Sequence, residues 1–217
     1  MRLVVFDVDG TLVDSQNLLV AAQAATFAAH GLAPPPRERS LSVVGLSLRE
    51  AFLELVGPEG PHESLAEGYK TAFQRLLSDP VLASPLFPGA VDVLASLGRR
   101  EEVMLGIATG KSRRGVSRLF DAHGWHRLFH TVQTADDAPS KPHPAMLLQA
   151  MAEVGAEPGE TVMVGDTTFD VAMARAAGCR AVGVAWGYHP AEALRAAGAE
   201  EVLTRFEDLP RLLPQAG

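Results

Sequence analysis

Two carboxylates stand two positions apart close to the start of the chain. The segment reads VVFDVDGTL, and Asp7 and Asp9 follow a run of apolar, strand-favouring residues. Side chains alternate along a strand, so the two carboxylates would share a face if the strand continued. Gly10 permits a sharp turn whose backbone N–H groups could face an anion. An ordinary strand-ending turn is the alternative, but four fixed positions within so short a segment are too uncommon by chance to favour it.

Two later segments carry polar side chains next to predicted helix starts. Thr109 and Gly110 follow an apolar run and enter a helix, where a hydroxyl and helix N-terminal N–H groups can hold a phosphate oxygen. Lys141 stands between Asp-Asp-Ala-Pro and two prolines, which restrict the backbone ahead of another helix. The alternatives are a common structural turn for the first segment and a surface lysine for the second.

A second pair of aspartates lies in the segment GDTTFD, after the apolar run Val162–Val164. Asp166 would stand at the tip of a strand, where no simple structural reason explains a carboxylate. Asp170 would lie in the first turn of the next helix, where a carboxylate also interacts favourably with the helix dipole. Asp166 is therefore the stronger candidate for chemistry.

The elements that must position these residues alternate between short apolar runs and helical patterns. Such runs, about as long as strands buried on both faces, indicate an α/β fold with a doubly wound parallel sheet. In such sheets ligands bind outside the carboxyl ends of the strands, so we expect the polar segments to meet there. The predicted strands are Arg2–Phe6, Val103–Ala108, Phe129–Thr134, Thr161–Val164, Ala181–Ala185 and Glu201–Leu203. The predicted helices are Arg113–His123, Pro144–Val154, Phe169–Ala177 and Ala191–Ala197, the last three ending at Gly155, Gly178 and Gly198.

The segment from residue 15 to residue 84 breaks this alternation. It is rich in Ala, Leu and Gln at helical spacing and is far longer than the ~2–6 residues of an ordinary connection in such folds. We predict an inserted α-helical cap over residues 15–84 and a catalytic core formed by residues 1–14 and 85–217.

Composition and charge narrow the range of partner classes that we expect for the chain. The chain has 217 residues and a formal net charge of -7, with no block of Lys or Arg, which argues against nucleic acid and anionic membranes as partners. There is no signal-peptide pattern and no apolar run near the ~18–20 residues that cross a bilayer. The lone Cys179 fits a reducing, cytoplasmic location. We expect a small phosphorylated metabolite as the partner, and either a monomer or a homodimer.

Taken together, the four polar segments closely resemble the motifs of the haloacid dehalogenase superfamily. DVDGT, the strand tip at Thr109, Lys141 and GDTTFD match the four motifs in order over nearly the whole chain. The helical insertion is similar to the cap of the branch that includes phosphoglycolate phosphatases and β-phosphoglucomutases. The resemblance implies a core of the Rossmann type. Because the dehalogenases lack the aspartate found here as Asp9, it also implies phosphoryl chemistry.

The resemblance further implies roles for the aspartates. Asp7 would be the nucleophile that forms an aspartyl-phosphate, and Asp9 the general acid and base. Mg²⁺ would be held by Asp7, Asp166 and the backbone carbonyl of Asp9, oxygen ligands of the kind this ion prefers. Asp170 would support the water ligands of the metal or orient Lys141.

The phosphoryl group would be held by the remaining motif residues. Thr109 and Gly110 would bind its oxygens, together with the turn at Gly10, and Lys141 would neutralise the negative charge of the transition state. In the predicted cap, Arg49 is a candidate for binding a substrate carboxylate or a second anion. A solvated Arg49 paired with Glu50 or Glu54 is the alternative.

We therefore expect a Mg²⁺-dependent phosphatase for a small phosphomonoester, with 2-phosphoglycolate as the leading candidate and sugar phosphates or nucleoside monophosphates behind it. A mutase of the β-phosphoglucomutase type needs the same pair of aspartates and stays open. So does a phosphate-binding module without turnover, although the polar residues of all four motifs are present. The aromatic residues of the loop at 186–190 would either shape the pocket or cover the core.

Overall fold

The computed structural model describes residues 1–213, which hold six strands and nine α-helices. Residues 214–217, the end of the predicted core, lie outside the described part. The strands are β1 (Arg2–Phe6), β2 (Val103–Ala108), β3 (Thr131–Gln133), β4 (Thr161–Gly165), β5 (Arg180–Val184) and β6 (Glu201–Leu203). The helices are α1 (Gln16–Ala29), α2 (Arg37–Leu41), α3 (Leu48–Val56), α4 (His62–Leu76), α5 (Ala90–Leu97), α6 (Arg113–His123), α7 (Ala145–Val154), α8 (Thr168–Ala176) and α9 (Ala191–Ala197).

All six strands of this described region form one parallel sheet in the order β3-β2-β1-β4-β5-β6. The chain builds outward from β1 through β2 to β3, and then returns to place β4 on the other side of β1. The strand order therefore reverses between β1 and β4. The predicted α/β fold with a doubly wound parallel sheet is confirmed, and its crevice lies at the carboxyl ends of these two strands.

Alternation along β1 assigns its side chains to the two layers that cover the sheet. Val4 and Phe6 pack into one apolar cluster with residues of α5 and α6. Leu3 and Val5 pack into the other, with residues of α7 and α8. All four side chains are fully buried. The sheet thus lies between two layers of helices, as its continuous apolar strands predict.

The predicted strands and helices agree with the observed ones to within a residue or two, with one omission. Helix α5 was not predicted, although Ala90, Val93, Leu94 and Leu97 have the spacing of one helix face and are all buried. Strand β3 is shorter than its apolar run, because the backbone N–H of Thr134 already donates to the carboxylate of Asp137 in a turn.

The inserted residues 15–84 hold helices α1 to α4 and an apolar cluster of their own. Phe52 is at its centre, with ring centroids 6.1 Å from Phe27 and 5.9 Å from Tyr69. We propose that these residues form the cap. Within residues 1–213, no helix has both the length and the hydropathy needed to span a bilayer.

The two connections between the insertion and the core run side by side. The backbone N–H of Asp14 donates to the carbonyl of Pro85 at 2.8 Å, and that of Phe87 donates to the carbonyl of Leu12 at 3.0 Å. Val13 and Leu86 form the antiparallel bridge between them. The chain therefore leaves the core and returns to it at one place.

Replacing Leu94 with Ala tests the contribution of the unpredicted helix to the core. Leu94 is fully buried between α5 and the sheet, so the cavity left behind should lower the free energy of unfolding by about 2–5 kcal/mol. Chemical denaturation measures the change. Leu148→Ala is the matched control, because Leu148 is 48% exposed on α7 and should cost less than about 0.5 kcal/mol. Equal losses in the two variants would contradict this packing.

Candidate active site

Two aspartates meet where β1 and β4 end. The backbone N–H of Asp7 donates to the carbonyl of Val164 at 3.0 Å, which continues the pairing of the two strands by one residue. Asp166 follows β4 directly. Its carboxylate accepts from the Thr11 hydroxyl at 2.8 Å and from the Tyr188 backbone N–H at 2.9 Å. Both aspartates are buried. Sheet pairing thus brings together two residues far apart in the sequence.

Lys141 joins this pair from the segment ahead of α7. Its side chain is fully buried, and Nζ lies 3.0 Å from Oδ1 of Asp7 and 2.6 Å from Oδ1 of Asp170. Asp170 is itself held in place at the start of α8, because its Oδ2 accepts from the backbone N–H and the hydroxyl of Thr167 in a capping box. Asp170 therefore positions Lys141 against Asp7.

Burial and neighbouring charges together set the pKa values of this group. Burial raises the pKa of Asp7 to about 6, an effect that the nearby Lys141 opposes and Asp170 reinforces. Burial also raises the pKa of Asp166 well above its ordinary value, and the carboxylates of Asp7 and Asp170 add to the shift. Burial disfavours the charged form of Lys141, but its two carboxylate partners outweigh this effect and its pKa is raised.

The residues at this edge fit a divalent cation. Carboxylate oxygens of Asp7, Asp166 and Asp170 lie within 4.8 Å of one another, and the single Lys141 leaves two of their negative charges uncompensated when all three are ionised. Apart from its ion pair with Lys141, Asp7 accepts no side-chain hydrogen bond within residues 1–213. Buried, hard oxygen donors with free lone pairs are what Mg²⁺ prefers.

Asp9 lies at the same strand end but its carboxylate is held apart from this group. Oδ1 accepts from the Ser15 hydroxyl at 2.6 Å, and Nζ of Lys111 lies 2.8 and 2.7 Å from the two oxygens. Asp9 is 8% exposed. Its side chain thus faces the insertion, while only its backbone carbonyl was predicted as a metal ligand.

Thr109 and Gly110 follow β2 and form another part of this edge. The backbone N–H of Thr109 donates to the carbonyl of Gln133 at 3.1 Å, and its buried hydroxyl accepts from the Lys111 N–H at 3.2 Å. A Cβ atom on Gly110 would lie 2.6 Å from the carbonyl oxygens of residues 45 and 46. Glycine is therefore required here because the backbone of the insertion approaches so closely.

Gly10 does not act as the sequence predicts. It has the expected left-handed conformation, with φ of 90°, but its N–H donates to the carbonyl of Val13 at 2.9 Å and is not free for an anion. A Cβ atom on Gly10 would also collide with the carboxylate of Asp166. The glycine makes room for Asp166 and closes the turn, and the structure does not direct its N–H toward a phosphate.

Arg49 also lies elsewhere. Its side chain is 57% exposed on α3, 3.7 Å from Oε1 of Glu50 and 3.8 Å from Oε1 of Glu63. The alternative, a solvated Arg49 paired with a neighbouring glutamate, therefore describes its position better. Its neighbours are Glu50, as that alternative allowed, and Glu63 in place of Glu54. The helix turns this position toward solvent, and the structure does not bring Arg49 to the site.

Some site residues were not identified from the sequence. Lys111 follows Gly110 directly, and a lysine beside the strand tip was the available signal for it. The contact of Ser15 with Asp9 had no sequence signal, because it depends on the path of the chain after Gly10. In the aromatic loop, Trp186 packs on Phe206 with ring centroids 5.2 Å apart, whereas the Tyr188 hydroxyl lies 3.2 Å from that of Ser15.

A cavity of about 240 Å³ opens between these strand ends and the insertion. Asp7, Asp9 and Thr109 line it from the core. Side chains of the insertion form much of the remaining wall: Leu19, Leu48, Phe52, Leu55, Tyr69 and Phe73. The carboxylates therefore face a partly open cavity with room for a small organic molecule.

Comparisons with known proteins agree with this geometry. The sequence profile described as haloacid dehalogenase-like hydrolase matches residues 4–184. "Probable phosphatase IndB" of Dickeya dadantii is 35% identical, covering 95% of this chain and 91% of its own. "Phosphoglycolate phosphatase 1" of Pseudomonas aeruginosa is 33% identical, covering 96% and 78%. The crystal structure of a hydrolase from Pseudomonas syringae superposes with a TM-score of 0.85 at 28% identity, covering 98% of each chain.

Burial of Asp7 makes the stability of the metal-free protein fall as pH rises. The pKa of Asp7 is raised from 3.8 to about 6, so between these values the folded state binds more protons than the unfolded state. We expect the free energy of unfolding to decrease by about 3 kcal/mol across that window. Denaturant unfolding with EDTA from pH 4 to 7 measures it. Asp7→Asn should flatten the profile; an unchanged slope would contradict the assignment.

Proposed function

Because the chain belongs to the haloacid dehalogenase-like hydrolase family and is a phosphatase, we propose that it hydrolyses a small phosphomonoester with Mg²⁺ through an aspartyl-phosphate on Asp7. The observation that carries this proposal is the buried group of Asp7, Asp166 and Asp170 around the single Lys141. Burying three carboxylates with one lysine destabilises a protein, and such clusters are typical of functional sites, where the charges bind ligands or take part in the reaction. A cation and a phosphoryl group together account for it.

Asp7 is suited to be the nucleophile. Its carboxylate lines the cavity and, apart from the ion pair of Oδ1 with Lys141, accepts no side-chain hydrogen bond within the described chain, so Oδ2 is free to attack phosphorus. The new bond joins that oxygen to phosphorus while the bond from phosphorus to the ester oxygen breaks. Lys141, 3.0 Å away, offsets the negative charge that gathers during the transfer.

The metal would be held by Asp7 and Asp166, with the backbone carbonyl of Asp9, and the carboxylate of Asp170 stands beside them. When bound, Mg²⁺ supplies the positive charge that lets a carboxylate approach a phosphate dianion. Thr109, at the next strand tip, offers its hydroxyl to the phosphoryl oxygens, and the backbone at Gly110 borders the same space.

Asp9 is placed for proton transfer. Its carboxylate lines the cavity from the core and contacts Ser15, the first residue of the insertion. We place the ester oxygen of a bound substrate beside it. It would protonate that oxygen as it departs and then take a proton from the water that attacks the aspartyl-phosphate. The contacts with Ser15 and Lys111 keep the carboxylate out of the group around Asp7, so the two aspartates can serve different purposes.

Among small phosphomonoesters, 2-phosphoglycolate is the first compound to test, because relatives that match nearly the whole chain carry the name phosphoglycolate phosphatase. A phosphatase releases inorganic phosphate from such an ester without an added sugar bisphosphate. A mutase needs that bisphosphate as a primer, so this requirement distinguishes the two functions.

Phosphate release by the purified protein tests the nucleophile. We expect turnover of at least one small phosphomonoester with Mg²⁺ and none with EDTA. Asp7→Asn should lower kcat at least about a thousandfold, because the covalent step loses its attacking oxygen. Asp14→Asn is the matched control, since Asp14 bonds to Gln16 near the same strand end but does not line the cavity. Normal turnover by Asp7→Asn would exclude the proposed intermediate.

Asp9→Asn tests the proton transfer separately. Loss of one general acid and base typically costs about 10²–10⁴-fold in rate, while Asp7 remains able to capture the phosphoryl group. Single-turnover kinetics with acid-quenched protein should show phosphorylated protein that hydrolyses slowly. A variant with near-normal turnover would rule out this role for Asp9.

A further inference from the structure

The cavity above the strand ends has two different walls. The wall formed by the insertion is mostly apolar, with Gln23, Lys70 and Gln74 as its polar side chains, and several of its apolar side chains belong to the cluster that packs α1, α3 and α4 together. A leaving group rich in hydroxyls would bring most of its donors and acceptors against the aliphatic and phenylalanine side chains of this wall, which cannot pair with them, and this is unfavourable. An apolar leaving group would instead be stabilised by burial there.

The part of the wall formed by the core around the start of α6 carries positive charge. Lys111, Arg114 and Arg118 line the cavity at spacings of three and four residues, which places them on one face at and along α6. Gly115 leaves room between them, since a Cβ atom there would lie 2.6 Å from Cγ of Lys111. The chain as a whole has a net charge of -7, so this face is a local exception.

The three cations differ in what they already contact. Lys111 pairs with Asp9, and Arg118 donates to the neutral side-chain oxygen of Gln74 at 2.6 Å. Arg114 has no ion-pair or hydrogen-bond partner among residues 1–213. Two guanidinium groups therefore face the cavity without a carboxylate to neutralise them.

Their position along α6 indicates which part of a substrate they would meet. The helix starts just after Thr109 and Gly110 and rises about 1.5 Å per residue. Arg118 is thus about 6 Å farther along the axis than Arg114. If the phosphoryl group lies at Thr109, both arginines would lie near the end of the leaving group that is farthest from phosphorus.

We infer that the substrate is a phosphomonoester with an apolar, ring-sized leaving group that carries a second anionic group at its far end. The apolar wall of the insertion holds the body of this group, and Arg114 and Arg118 bind the distal anion through charge-assisted hydrogen bonds. These two arginines are specificity-determining residues. The inference rests on the proposed phosphatase activity and names the substrate class of the same site.

Three primary alkyl phosphates test this inference: benzyl phosphate, 4-carboxybenzyl phosphate and 2-phosphoglycolate. Their leaving groups are all primary alkoxides, so differences in kcat/KM report chiefly on binding. We expect 4-carboxybenzyl phosphate to be hydrolysed most efficiently and 2-phosphoglycolate least. Arg114→Ala should lower kcat/KM for the carboxylated compound about 10- to 100-fold and leave benzyl phosphate within about twofold. Arg118→Ala should act in the same direction.

Arg113→Ala is the matched control. Arg113 is the neighbour of Arg114 on the same helix, but its guanidinium pairs with Asp137 at 2.7 Å on another face, so both benzyl compounds should be unaffected. Equal loss on both benzyl compounds in Arg114→Ala would overturn the distal anion site. Faster turnover of 2-phosphoglycolate than of benzyl phosphate would overturn the apolar leaving group. Failure of the proposed function would look different: the unmodified protein would release phosphate from none of the three compounds, nor from p-nitrophenyl phosphate.

Discussion

The buried contact between Lys141 and the carboxylates of Asp7 and Asp170 is the constraint on which the rest of the structure depends. Charges are costly to remove from water, and breaking such a contact by loss of one partner costs more than the contact contributes. Each partner therefore needs independent support. Asp7 has the strand pairing of β1 with β4, and Asp170 has the capping box with Thr167. The parallel sheet and the start of α8 can be seen as the frame for this one cluster.

The same frame explains why Asp9 differs from Asp7 although the two are neighbours. Asp7 continues the last strand pair and is only 1% exposed, whereas Asp9 comes after the turn has begun and contacts Ser15 and Lys111 at the border of the cavity. Asp7 faces Lys141, which it shares with Asp170, whereas Asp9 faces a hydroxyl and a lysine of its own. Two residues of one type thus acquire different environments from a difference of two positions along the chain.

Much of this architecture could be predicted from the sequence because it depends on local pattern. Strands buried on both faces leave uninterrupted apolar runs, and the motif aspartates stand where those runs end. Features that depend on the path of a turn or the rotation of a helix could not be predicted. The N–H of Gly10 is taken by Val13 within its own turn, and Arg49 is rotated toward solvent by α3. Helix α5 was overlooked although the spacing around Leu94 carried the signal.

The adjacent exit and return of the chain at Val13 and Leu86 has a consequence for how such a protein can diversify. Because the two crossings are hydrogen-bonded neighbours, the core needs only a short bridge there, and the entropy of closing a loop grows slowly with its length. An insertion of almost any size can be grafted at this point without disturbing the sheet. Natural selection can therefore replace the insertion that covers the active site as one module, while the reaction at the strand ends stays the same.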